Sequence, residues 1–66
     1  MKVIIQSIAT RTYLKSLKQW TSELDEAKNF GYFERAAHFV RKQNLREVQF
    51  AVPLPESDEV IVFPVV

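Results

Sequence analysis

The chain has 66 residues, with 9 Lys or Arg against 8 Asp or Glu, one His and no Cys, and a net charge of +1. That length holds one small domain, the missing cysteines exclude disulfide staples, and His38 alone cannot complete a four-ligand zinc site. With 47% hydrophobic residues and a single Gly, the composition is that of an ordered α+β domain, but one whose thin core buries only about 60% of the surface its unfolded chain exposes.

No apolar run approaches the roughly 20 residues of a membrane-spanning helix, and Gln6 and Ser7 interrupt the apolar start before it reaches signal-peptide length. A cytoplasmic protein with no membrane contact is expected. The charges fall in blocks of alternating sign. Lys2, Arg11, Lys15 and Lys18 come first, then Glu23, Asp25, Glu26 and Glu34 around Lys28. Arg35, Arg41, Lys42 and Arg46 follow, and Glu47, Glu56, Asp58 and Glu59 come last.

Val3-Ile4-Ile5 and Ile8 predict a first strand over Lys2 to Ala9. The stretch from Thr12 to Trp20 supports two readings. Tyr13, Leu17, Trp20 and Leu24 stand at helical spacing with no Gly or Pro between them, while a second strand pairing with the first competes. Ser22-Glu23-Leu24-Asp25 resembles a helix start, and Gly31 suits the left-handed residue that would end that helix. A further helix is predicted from Phe33, Ala36, Ala37 and Val40, closed by Asn44 with Leu45 packing back. Val48, Phe50 and Val52 alternate as a strand, and Pro53 to Asp58 reads as a loop. Glu59 to Val65 forms the last strand, with Val60, Val62 and Pro64 on one face and Ile61, Phe63 and Val65 on the other. Pro64 lacks an N–H and points to an edge.

Chemistry finds little support in this sequence. His38 lies one turn after Glu34, but no motif supplies a nucleophile or an orienting acid, so it reads as a surface histidine. Asp25-Glu26 and Asp58-Glu59 suit capping and solubility better than acid–base or metal work. One glycine cannot build a phosphate-cradling loop. The expectation is therefore a chain that is not an enzyme, with no catalytic residues, cofactor or metal. Arg11, Lys15, Lys18 and Trp20, with Tyr13 among them, interleave cations and aromatics as a single-stranded nucleic-acid site does. Core burial of Trp20 and Tyr13 is the favoured alternative. The uncharged C-terminal strand, with Val60, Ile61, Val62, Phe63 and Val65, lacks the charges that edge strands use against self-pairing. It marks the expected homodimer interface, with another protein partner as a further reading.

Tyr13-Leu14-Lys15, Trp20-Thr21, Ala27-x-x-Phe30, Ala36 or Ala37 with Phe39, and Val48-x-Phe50 together form a layout. It resembles a loose family of small uncharacterised bacterial and phage proteins. The resemblance implies that Tyr-Leu-Lys belongs to the second strand of an N-terminal hairpin and that Trp-Thr opens a short helical segment. It implies no activity. The expected architecture is β-β-α-α-β-β, an antiparallel sheet with two helices on one face. Phe33, Ala37, Val40, Leu24 and Ala27 would meet Val3, Ile5, Trp20, Val48, Phe50 and Val62 in its core. The expected function is a non-catalytic interaction module that self-associates through its last strand, with a nucleic-acid-binding accessory protein as the alternative.

Overall fold

A computed structural model describes residues 2–65. Five strands form one antiparallel sheet: β1 (Ile4–Ser7), β2 (Tyr13–Ser16), β3 (Gln19–Thr21), β4 (Val48–Pro53) and β5 (Val60–Pro64), in the spatial order β3-β2-β1-β4-β5. A 3-10 turn, Leu24–Glu26, and one helix, α1 (Phe33–Gln43), lie between β3 and β4. The first expected helix, from Ser22 to Gly31, is absent and only the 3-10 turn stands there, so two helices on one face of the sheet are not formed; an extra strand, β3, stands in the first half.

The central position of β1 explains its unbroken apolar run. Val3 and Ile5 face α1 and pack with Leu14, Phe30, Ala36, Val40, Val48 and Phe50. Ile4 faces the other way and packs with Ala27 and Ala51. Val3, Ile4 and Ile5 are all fully buried, as strands covered on both faces require. The sheet therefore has two unequal covers, α1 on one face and the short Leu24–Ala27 segment on the other.

Between Thr12 and Thr21 the chain forms a hairpin in which Leu14 opposes Trp20 and Ser16 opposes Gln19. Leu17 and Lys18 make the turn, and neither has a positive φ. The primed turns that match strand twist are thus not used, and a register shift between Leu14 and Ser16 accommodates the mismatch. Helical spacing of Tyr13, Leu17 and Trp20 misled because the buried residue is Leu14; Leu17 is 55% exposed and Trp20 39%. Trp20 is therefore not a core residue. Val62, expected in the core, is 45% exposed, because β5 is the outermost strand and no element covers that face of it.

Hydrogen bonds to the sheet explain why residues 22–31 do not form the expected helix. Lys28 N–H donates to the Leu14 carbonyl and Phe30 N–H to the Val3 carbonyl, each at 2.8 Å. An isolated helix of ten residues is marginal in water, so these sheet bonds win and only the 3-10 turn remains. Thr21 braces the approach to it, its Oγ1 accepting from Glu23 N–H at 3.0 Å and donating to Glu26 Oε1 at 2.8 Å, while Glu23, the residue before the turn, makes no side-chain cap. Beyond the turn the chain passes between Leu14 and Val3, leaving Ala27 in the cluster on one face and Phe30 in the core on the other. Asn29 secures the crossing, its Oδ1 accepting from Val3 N–H at 3.1 Å and from Gly31 N–H at 2.9 Å. Gly31, with φ of 82°, turns the chain into α1 rather than ending a helix. Asn29→Ala leaves both amides without that acceptor, and a loss of about 1–3 kcal/mol is expected in urea denaturation.

The second expected helix is α1 itself. Asn44 follows its last turn with φ of 53°, and Leu45 N–H donates to the Val40 carbonyl at 3.0 Å, the bond that closes a left-handed helix end. Phe33 reaches β4 and β5, its ring tilted against Phe50 at 5.6 Å and edge-to-face with Phe63 at 5.1 Å, while Phe39 meets Phe30 at 5.2 Å.

Candidate interaction edge

The C-terminal strand is an edge strand, hydrogen-bonded to β4 alone. Its free side follows from bond parity. Leu54 N–H donates to the Glu59 carbonyl at 3.0 Å, and Ile8 N–H donates to the Glu47 carbonyl at 2.8 Å. In an antiparallel ladder, successive residues alternate between bonding one neighbour and the other. The register Phe50 opposite Phe63 and Val52 opposite Ile61 therefore continues the Leu54–Glu59 bonding, and Ile61 and Phe63 direct their amides and carbonyls at β4. Val60, Val62 and Pro64 direct theirs outward. Pro64 has no N–H, so the free edge presents two donors, from Val60 and Val62, and three carbonyl acceptors.

Side chains divide between the two faces. Phe63 lies on the helix face against Phe33, and Ile61 shares that face by period two. Ile61 is 46% exposed and Phe63 39%. On the opposite face Val60 is half-buried beside the Ile4 cluster, whereas Val62 is open. Val65 is half-buried and packs on the main core; Val66, the end of the uncharged segment, lies outside the described residues. No charged side chain occurs from Val60 to Val65. The opposite edge, β3, has only three residues.

The cationic and aromatic candidates fall on different elements, with Lys15 on the face opposite Trp20. Arg11 sits in the tight turn after β1, with φ of 61° and its N–H donating to the Ser7 carbonyl at 2.8 Å. Lys18 occupies the β2–β3 turn. Lys15 lies 3.9 Å from Glu26, in the turn that covers the face opposite α1. Trp20, paired with Leu14, lies on the helix side and lines an open depression of about 380 Å³ with Ser7, Thr10 and Thr12. The hydroxyls there already bond locally: Thr10 N–H to Ser7 Oγ at 3.3 Å, and Thr10 Oγ1 with Thr12 Oγ1 at 2.7 Å.

His38 is exposed on α1, and among the described residues no three His, Asp or Glu side chains cluster for a metal. No described helix is long and apolar enough to cross a membrane. A pairing that the sequence reading missed is Gln49 Nε2 donating to Gln6 Oε1 at 2.7 Å. It satisfies the buried Gln6 across β1 and β4, and two glutamines 43 positions apart leave no local signal. No protein-family model, curated protein or solved structure matches this chain.

Proposed function

We propose that this chain is a non-catalytic interaction module that self-associates through the free edge of β5. One observation carries the reading: a five-residue edge strand without charge, with Ile61, Val62 and Phe63 all exposed and two amides directed away from the sheet. Natural edge strands block such pairing with lysines, inward charges or bulges, and this one has only Pro64. A domain of this size also gains stability from a partner that covers apolar side chains its own layers leave open.

Light scattering over a range of protein concentrations tests this. The expected result is a mass that rises to twice the monomer, and a monomer under all conditions overturns it. Val62→Lys places a charge on the open edge and is expected to return the mass to that of the monomer. The same preparation tests the nucleic-acid alternative, which rests on the exposed ring of Trp20. That reading requires Trp20 emission to change when single-stranded DNA is added at low salt, and unchanged emission removes it.

A further inference from the structure

We propose that β5 pairs antiparallel with β5 of a second copy, with Val62 opposite Val62 on a two-fold axis perpendicular to the sheet. This rests on the self-association reading above and specifies its register. Three constraints lead to the same alignment.

The first is bonding parity. Only Val60, Val62 and Pro64 present backbone groups outward, so outward residues must oppose outward residues. Any alignment shifted by one residue sets bonding positions against non-bonding ones and forms no ladder.

The second is the missing amide of Pro64. With Val62 on the axis, all five residues of β5 overlap their copies. Each Val62 N–H donates to the carbonyl of the other Val62, and each Val60 N–H donates to a Pro64 carbonyl. Both outward amides are used, and Pro64 meets the second strand only as an acceptor. A two-residue shift in one direction leaves just Val60 to Val62 overlapping. The same shift in the other direction leaves just Val62 to Pro64 overlapping, with the Val62 amides alone donating, whereas the centred register leaves only the two Val60 carbonyls, at the ends of the overlap, without a donor.

The third is side-chain matching. In this register Ile61 faces Phe63 of the second copy twice on the helix face, at the closer, non-hydrogen-bonded spacing. Val62 faces Val62, and Val60 faces Pro64, on the other. The alternative centred on Ile61 sets the Glu59 carboxylate opposite Phe63. Because Phe63 already packs on Phe33, the paired Ile61 and Phe63 side chains extend each protomer's core. The two-fold leaves both α1 helices on one face. It also leaves only the three-residue β3 strands at the outer edges, so the assembly closes at two copies instead of propagating.

The chain contains no cysteine, so single-cysteine variants report the register without background. Ile61→Cys and Phe63→Cys are mixed in equal amounts, allowed to exchange, and oxidised. Opposed non-hydrogen-bonded residues have Cα atoms ~4.5 Å apart, within disulfide reach, whereas like positions in this register lie beyond ~7 Å. The expected product is the mixed disulfide, exceeding either like-with-like disulfide by about tenfold or more. An Ile61→Cys disulfide with itself as the main product overturns the register while leaving self-association intact. A protein that scatters as a monomer at the same concentration overturns both.

Discussion

Val62→Pro is expected to give a folded monomer, while Ile61→Pro, one residue away, is expected to lose stability within the chain. Val62 directs its N–H away from β4, so the proline removes no intrachain bond, and edge strands accept proline where the amide would face solvent. In the dimer the same substitution deletes both bonds across the two-fold and leaves two carbonyls unpaired. At even the lower end of what those losses cost, ~2 kcal/mol, dissociation tightens its grip on the equilibrium by at least about 30-fold. Ile61 directs its N–H at Val52 across the β4–β5 ladder, and its replacement by proline costs about 1–3 kcal/mol of monomer stability. Sedimentation equilibrium and urea denaturation at high dilution separate the two effects. A Val62→Pro dimer of unchanged affinity would remove edge pairing as the mode of association. Unfolding by Val62→Pro with no effect of Ile61→Pro would reverse the assignment of inward and outward residues.

Ile5→Ala is expected to destabilise the monomer by about 2–5 kcal/mol. Ile5 is fully buried on the central strand, opposite Phe50, with α1 over it. A chain of this size commonly has only ~3–10 kcal/mol of stability in total, so a measurable fraction of the variant unfolds at room temperature. Ile61→Ala, on a side chain that is 46% exposed, is expected to cost under about 1 kcal/mol at dilution. The two variants distinguish residues that hold the fold together from residues left available for a partner. Equal losses in urea midpoint at high dilution would mean that β5 belongs to the core.

Regular side-chain spacing made α1, β1, β4 and β5 legible. Phe33, Ala36, Ala37 and Val40 recur at helical spacing, and Asn44 is a residue type that tolerates the left-handed conformation, so both the helix and its end could be read locally. Val48, Phe50 and Val52 alternate because one face of β4 meets α1. The Leu24 region was not legible. Ser22 and the acids after it are sound helix-start residues, but the amides of Lys28 and Phe30 bond to Leu14 and Val3, carbonyls more than ten positions away, and no local pattern announces such partners. An apolar side chain on a strand face puts Trp20 and Val62 in the core by local reasoning, yet both are exposed. Burial depends on which strand lies outermost, and both fall on or beside sheet edges. The candidate interface was visible as an uncharged segment, but its inward and outward sides were not.

Composition and local pattern by themselves determined a small α+β chain without disulfides, a helix through Phe33, Ala36, Ala37 and Val40, its left-handed end at Asn44, and an uncharged last strand limited by Pro64. Those properties depend on residues within a few positions of one another, where spacing, capping and backbone preference act. Strand order, the two-sided burial of Val3, Ile4 and Ile5, the passage of Ala27–Phe30 from one face to the other, and the outward direction of the Val62 amide were decided only by tertiary structure. Each depends on hydrogen bonds and contacts between segments far apart in the chain, and the free-energy balance among those pairings is struck by the whole sheet at once.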